Sequence, residues 1–555
     1  AIYELNRFYR QVIMITGVSS SGNALDEYRD YSLEREIPSY YERVRGMAED
    51  LRTLRQSMET EGFRQGGEAG VIDLILRQLE DFDRDPASLP LRLKVFKDNI
   101  SGAAAWILRL KEQPLELDTL GIAGPGAPLP DADAPFGQRV LYTVRSFLAS
   151  FTRQYALLDN EFETGEALEV WVGLGRDQAQ LIKRLVEDEF MPETGYKVNV
   201  NLVQQGLIPA TLTGKGPDVA LFVTPNEIVN LAARSALVPL SDFDGFEALR
   251  SRFQPQSVIP YTYLDKAYGV PVNESFPMLF YRKDVFGELA LEVPRTWTEF
   301  YDLLLILQRN NLFAGIPQDE TTFQTLLFQQ GGSYYKDGWR TTGFDAPEAL
   351  AAFRQWTEFF TKYTLPVQYD FYSRFRTGEM PLGIAPYVTY NVLVVAAPEL
   401  RGLWGMAPVP GTVREDGTVD ASVTGGGTGA ALFRKVKNRD AGFAFLEWWT
   451  RAGVQSAFGK EIEILLGPAA RYDTANIEAF RDLPWGPDEE ARLLDQWSRL
   501  RMVPQTPVNY YISRNLANAF RRVVIQGDNH RETLNRYNRE INKEILRKRQ
   551  EFGLD

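Results

Sequence analysis

The sequence predicts an α/β protein preceded by an all-helical region, and three observations predict it. From Leu168 to Gly206 the chain reads strand, helix, strand, which is a βαβ unit with a buried parallel pair. Beyond Gly206, short strands alternate with amphipathic helices as far as the C-terminus. Before it, residues 1–160 carry mostly helical apolar periodicity.

A chain of 555 residues holds about two to four domains. With 44% hydrophobic and 12% aromatic residues it can bury large cores and is not a disordered protein. The net charge of -13 argues against a nucleic-acid partner, because phosphate binding needs a basic surface. The chain has no cysteine, which excludes disulfides, thiolate catalysis and Cys-based metal sites. Its one histidine, His530, would have to carry any Ser-His-Asp triad, and among Asp528, Asn529 and Arg531 it reads as a solvated loop residue. No apolar run approaches the roughly 20 residues of a membrane span. The opening AIYELNRFYRQVIMITG lacks the basic region and cleavage site of a signal peptide. It reads as the interior of a structured chain, and a processed or trimmed product is expected.

Within residues 1–160 the spacing predicts helices over 38–59, 71–82, 91–111 and 138–158, the last two separated by the Pro/Gly-rich loop 120–137. A four-helix bundle acting as a spacer or interaction module is the simplest packing. Residues 161–167 form an acidic linker. In the βαβ unit, Leu168 to Val172 is the first strand and Trp171 reads as core. A turn at Gly173 to Asp177 follows, then a helix presenting Leu181, Ile182, Leu185, Val186 and Phe190, and the strand Val198 to Val203. Strands are expected at 216–222, 267–281 (two, split by a polar break), 381–386, 404–410 and 430–433. Helices are expected at 225–233, from Thr296 as N-cap, and at 347–363, 441–451, 488–499, 515–525 and 534–552.

These residues bring a resemblance. Leu168-Glu-Val-Trp171, Glu193-Thr-Gly195, Gly216-Pro-Asp218, Leu237-Val-Pro-Leu240, Tyr268-Gly-Val-Pro271, Phe280 to Phe286, Pro294 to Trp297, Gly331-Gly332, Phe344 to Ala349, Gly425-Gly426 and Lys437-Asn438 stand in order along the chain. Residues 168 to about 553 thereby resemble the family 1 extracellular solute-binding proteins of bacterial ABC importers, the maltose-binding-protein-like group. Leu93 to Ser101, Gln113 to Leu117, Gly467 to Tyr472, Leu483 to Trp485 and Asn518 to Phe520 are similar to a long variety of it, with a helical region in front.

The resemblance implies a two-lobed periplasmic-binding-protein fold of type II. Lobe 1 would comprise about 168–275 and 428–466, lobe 2 about 278–425 and 467–520, with C-terminal helices over 488–552. Hinge crossings are implied near Glu274 to Phe280, Thr424 to Gly429 and Leu465 to Arg471, with ligand between the lobes and closure about the hinge. It further implies a monomer outside the cytoplasm, at the cell surface, held there by a part outside this chain or by the importer. Its partners would be an oligosaccharide and the importer's permease subunits, with no cofactor and no catalytic residue.

Sugar recognition needs flat apolar surfaces for ring C–H faces and hydrogen-bonding side chains for hydroxyls. Matched to the family's binding loops, the candidates are Gly173, Arg176 and Asp177; Phe222, Thr224 and Asn226; Asn273, Glu274 and Ser275; Glu320, Thr322 and Phe323; Tyr387, Tyr390 and Asn391; Gly426; and Arg471 and Tyr510. Phe222, at a strand end, stands between core and cleft. Glu274 reads equally as a hydroxyl acceptor or a solvated acid. Tyr387 and Tyr390 favour the cleft, whereas Trp356, Trp448 and Trp449 lie on helical apolar faces and Trp297 reads as packing. Gly173-x-Gly175 lacks the third glycine of a dinucleotide fingerprint, and Gly425 to Gly429 lacks the Lys-Ser/Thr of a phosphate loop. The latter reads as a hinge-side turn needing close backbone approach or positive φ. Asp242-Phe-Asp244-Gly245 lacks the later ligands of a calcium loop, so no metal is expected. Two other functions stay open: a sensing or scaffold protein docking through its helical region, and a two-carboxylate glycoside-processing enzyme.

Overall fold

A computed structural model of the chain describes residues 1–17, 29–60, 67–111, 137–143, 145, 162 and 166–554. The N-terminal region is helical, with helices Ile2–Thr16, Leu33–Glu36, Tyr40–Thr60, Gly67–Arg84 and Leu89–Lys111. Three of the four expected helices stand close to their predicted positions. Among the described residues a further long helix of this group is Ile2–Thr16, over which the spacing predicts no element. Its buried Leu5, Phe8, Tyr9, Val12 and Ile13 recur at helical spacing and pack against Tyr40, Val44, Phe96 and Ile100. Of the helix expected over 138–158, residues 138–143 and 145 are helical and the rest lies outside the described residues.

The strands that position the site are β1 (Leu168–Val172), β2 (Val198–Leu202), β3 (Val219–Val223), β4 (Gly269–Ser275), β5 (Pro277–Arg282), β6 (Ala314–Gly315), β7 (Leu382–Pro386), β8 (Trp404–Ala407) and β9 (Gly426–Leu432). They form a five-stranded sheet, β2-β1-β3-β9-β4, and a four-stranded sheet, β8-β5-β7-β6. Each sheet centres one lobe. In lobe 1, β1 runs parallel to β2 and β3, while β9 is antiparallel to both β3 and β4. The βαβ crossover helix Arg176–Leu185 buries Ala179, Leu181, Ile182 and Leu185 on this sheet, beside Phe445, Trp448 and Trp449. In lobe 2, β5 is antiparallel to β7 and β8, and Phe300, Leu304, Phe323, Phe353 and Trp356 fill the core. Trp171 is half-buried on β1, and Trp356, Trp448 and Trp449 are core as expected.

The lobes are joined where strands run from one sheet to the other. Phe276 alone separates β4 from β5. Residues 423–426 lead from the lobe 2 core at Val423 into β9. There Gly425, Gly427 and Gly429 are needed for close approach and not for φ: a Cβ on Gly427 would sit 2.1 Å from the Asn273 carbonyl. The third crossing lies later than Leu465 to Arg471. Tyr472 and Ala475 still belong to the lobe 1 core, because residues 473–475 run along β4, with Glu274 N–H donating to the Asp473 carbonyl at 2.8 Å and Ala475 N–H to that of Val272 at 3.1 Å. The chain enters the lobe 2 core only at Phe480. Helices Pro487–Ser498, Asn509–Gln526 and His530–Glu551 then pack on lobe 2, and His530 opens the last of them instead of lying in a loop.

The helical region docks on lobe 2 through buried charge. Arg10, 1% exposed, reaches Glu288 at 2.8 Å and Asp284 at 3.5 Å, and Asp284 is also held by Arg282 at 2.6 Å. Tyr9 Oη donates to Glu379 at 2.6 Å, and Lys97 pairs with the same carboxylate.

Candidate functional site

Strand direction gathers the expected loops. The C-terminal ends of β1, β3 and β4 and the start of β9 share one edge of the lobe 1 sheet, since Gly429 pairs with Val223 and Gly426 with Ser275. The start of β5 and the ends of β6, β7 and β8 share one edge of the lobe 2 sheet, with Pro277 opposite Pro386 and Gly315 beside Gly383. Phe276 joins the two edges, so they face one seam. In open α/β sheets the crevice beyond the carboxyl ends of parallel strands is where ligands bind.

On the lobe 2 side of this seam lies a cavity of about 270 Å³. Its walls are Phe276, Pro277, Trp297, Ile384 and Pro386, and its polar groups are Ser275, Asp319, Thr321, Thr322, Thr325 and Thr424, with Gly425 and Gly426 at the hinge. Helix Glu320–Gln329 supplies three of the threonines from one face. Asp319 caps it, accepting from the Thr321 N–H at 3.0 Å, and Thr322 Oγ1 donates to the Pro317 carbonyl at 2.7 Å.

The lobe 1 edge supplies a second wall. Gly173 lies against the Phe222 carbonyl, where an added Cβ would be 3.5 Å away. Phe222 is half-buried at φ +62°, a left-handed conformation costing a non-glycine residue roughly 1–2 kcal/mol. Its ring stands near those of Trp449 and Tyr472, with centroids 6.3 and 6.5 Å away. Arg176 and Asp177 are exposed in the first turn of their helix. Thr224 caps helix Pro225–Ala233, where the Asn226 carbonyl accepts from Asn230 at 2.8 Å. Asn273 is committed to the hinge: its Oδ1 accepts from Thr428 N–H at 2.8 Å and its Nδ2 donates to Asp473 at 3.1 Å.

Several candidates fall elsewhere. Phe323 is fully buried against Phe344, Phe353 and Trp356, because it points away from the threonine face of its helix. Tyr387 is 1% exposed; its ring packs on Phe276, and its hydroxyl donates to the Glu274 carbonyl, so it seals the crossing. Glu274 is neither solvated nor open to a ligand. It is 2% exposed, accepts from Ser257 Oγ at 2.7 Å and from the Trp497 indole N–H, and burial pushes its carboxyl up to about 7. Asn391 is buried and donates to the Arg471 carbonyl at 3.4 Å. Arg471 is bound to Glu463 at 2.8 Å and lies 4.6 Å over Trp485, which also packs on Tyr390. Glu320 accepts from the Tyr334 hydroxyl and from Gln324, and Tyr510 is exposed at the start of helix Asn509–Gln526. Of the other lining residues, Phe276 and Thr321 fall inside the expected loops 273–276 and 320–323, Trp297 is a buried packing residue as expected, and Pro277, Thr325 and Thr424 stand outside the expected loops. The Asp-Glu-Thr-Thr run at 319–322, a cap followed by small hydroxyls, is the sequence signal for Thr321.

Among the described residues no group of three or more acidic or histidine side chains gathers as for a metal ion, and no helix is long and apolar enough to cross a membrane.

Residues 175–456, just over half of the chain, match the family model described as bacterial extracellular solute-binding protein. Residues 1–110 match that of the bacterial solute-binding protein 4-helix bundle domain. The sugar-binding protein MalE of Xanthomonas citri is similar in structure, with a TM-score of 0.60 at 19% identity over 70% of this chain and 100% of that one. The cyclic alpha-maltosyl-1,6-maltose binding protein of Arthrobacter globiformis has a TM-score of 0.56 at 18% identity over 68% and 98%. At such identity these likenesses speak for the fold. The sn-glycerol-3-phosphate-binding periplasmic protein UgpB of Rhizobium meliloti is 27% identical over 150 residues, 24% of this chain and 34% of that protein. The chain thus spans about a third of the length of the curated relatives it matches.

Proposed function

We propose that this chain, which belongs to the bacterial extracellular solute-binding proteins, captures an uncharged carbohydrate between its lobes and hands it to an ABC importer. The observation that carries the reading is the lining of the seam cavity. Five hydroxyl side chains (Ser275, Thr321, Thr322, Thr325 and Thr424) stand beside Phe276, Trp297 and three prolines, and among the described residues the one charged lining group is Asp319. Hydroxyls and flat apolar surfaces match a sugar's alternating O–H and C–H faces. At about 270 Å³ the cavity is smaller than a typical ligand site of roughly 300–1,000 Å³, so the ligand extends toward the lobe 1 wall at Gly173, Arg176, Asp177 and Phe222. An oligosaccharide fits that span. The protein acts outside the cytoplasm as a monomer, without catalysis, and meets the permease subunits once loaded.

A second reading, a glycerol phosphate ligand, is favoured by the curated relatives. A phosphate dianion in this cavity would meet the Asp319 carboxylate and no lining lysine or arginine, which weighs against it. Calorimetric titration of the full chain with neutral oligosaccharides and with sn-glycerol 3-phosphate separates the two. Heat from at least one neutral sugar and none from the phosphate ester is expected; the reverse overturns the reading.

A further inference from the structure

The hinge contains a carboxyl that the ligand site does not use. Glu274 is the penultimate residue of β4, two before the crossing at Phe276, and it is buried. Its two side-chain donors come from different lobes. Ser257 Oγ, at 2.7 Å, belongs to the segment beside Val258 in the lobe 1 core, whereas Trp497 sits in the lobe 2 core on helix Pro487–Ser498. Both donate to the same oxygen, Oε2. Its backbone is fixed as well: the N–H donates to the Asp473 carbonyl, in the lobe 1 segment that leads into the third crossing, and the carbonyl accepts from the Tyr387 hydroxyl of lobe 2. One side chain thus ties together the elements that must shift when the lobes rotate.

We propose that Glu274 is a proton-operated hinge latch, its carboxyl joining lobe 1 to lobe 2 through Ser257 and Trp497, so that gain or loss of its proton shifts the balance between lobe arrangements.

The surroundings explain why a proton matters here. The ionisable groups facing Glu274 are Tyr261, Tyr387 and Asp473, and none of these is a cation. On the adjoining helix, Asp495 and Arg499 pair with each other at 2.7 Å in solvent. Among the described residues the Glu274 charge is therefore met by two neutral donors and no counter-ion, and burial pushes its carboxyl up to about 7. Asp473 is shifted upward too, by burial, with Asn273 as its donor. A hinge rotation that parts Trp497 from Ser257 admits water and returns Glu274 toward the ordinary carboxylate range. The arrangement described here, which holds the proton more tightly, is then favoured at low pH, and the opened hinge at high pH.

The absence of cysteine makes the test direct. Spin labels at Gln180→Cys on lobe 1 and Ala351→Cys on lobe 2, both exposed, report the interlobe distance in the full chain without ligand. Between about pH 5 and about pH 8.5 the ratio of two distance populations is expected to change by about tenfold or more. Glu274→Gln keeps both hydrogen bonds through its amide oxygen and is expected to hold the low-pH distribution throughout. Trp497→Phe removes one donor to the ionised form and is expected to move the midpoint to higher pH. A distance distribution that ignores pH, a pH response that survives in Glu274→Gln, or an unmoved midpoint in Trp497→Phe overturns the proposal. The readout needs no ligand, so a failed sugar titration leaves it intact.

Discussion

Where the helical region meets lobe 2, Arg10 and Arg282 face Asp284 and Glu288, whereas at the hinge Glu274 and Asp473 are met by neutral donors alone. Both junctions bury carboxyls, with opposite electrostatic outcomes. Burial works against ionisation of Asp284, yet the Arg282 and Arg10 guanidiniums hold it below the usual carboxylate range. Burial of Glu274 goes uncompensated and raises it. Matched buried charge is costly to separate, which resists parting of the bundle from lobe 2. Unmatched buried carboxyls are released by water, which suits a joint that moves.

The largest expected effect breaks the matched junction. Arg10→Ala leaves buried Asp284 with Arg282 alone and half-buried Glu288 with Arg7 alone, and a loss of about 3 kcal/mol is expected in urea denaturation of the full chain. An unchanged midpoint would show that the cluster is not the anchor.

Next comes the hinge carboxyl. A carboxyl whose folded value is raised costs no stability below its unfolded value and costs progressively more as pH climbs to the folded one. For Glu274 that window runs from 4.5 to about 7. Glu274→Gln is therefore expected to match the parent in acid and to exceed it above the window by up to about 3 kcal/mol, read from denaturation midpoints across pH. A constant offset at every pH would refute the assignment.

Two smaller effects calibrate these. Thr296 and Glu299 form a reciprocal cap on helix Trp297–Arg309, and Thr296→Ala is expected to cost about 1 kcal/mol. Arg499 pairs with Asp495 in solvent, both side chains over 40% exposed, and Arg499→Ala is expected to change stability by under about 0.5 kcal/mol. Should the exposed pair rival Arg10, burial would not be what distinguishes the junctions.

The sequence carried the fold wherever periodicity was strong. The βαβ unit, the helix with Phe353 and Trp356, and the glycines of β9 were all legible because burial imposes their spacing. The site was legible as loops and not as side chains. Strand ends identify a sheet edge, so Gly173, Phe222, Ser275 and Gly426 came out together. Which side of a helix faces the seam depends on tertiary packing. That is why Thr322 lines the cavity while the neighbouring Phe323 is buried in the core, and why Tyr387, one residue past a strand end, plugs a crossing. Glu274 was ambiguous because a carboxylate in an alternating strand reads as exposed until Trp497, 223 residues later, is seen to cover it.

The central claim, that the seam cavity is where an uncharged sugar binds, is tested most directly by filling it. Thr322→Trp adds bulk at the cavity wall on a helix already capped by Asp319. Calorimetry of this variant with the neutral oligosaccharide that binds the parent should show binding lost, with the thermal transition retained. Undiminished binding would place the ligand elsewhere and contradict the account.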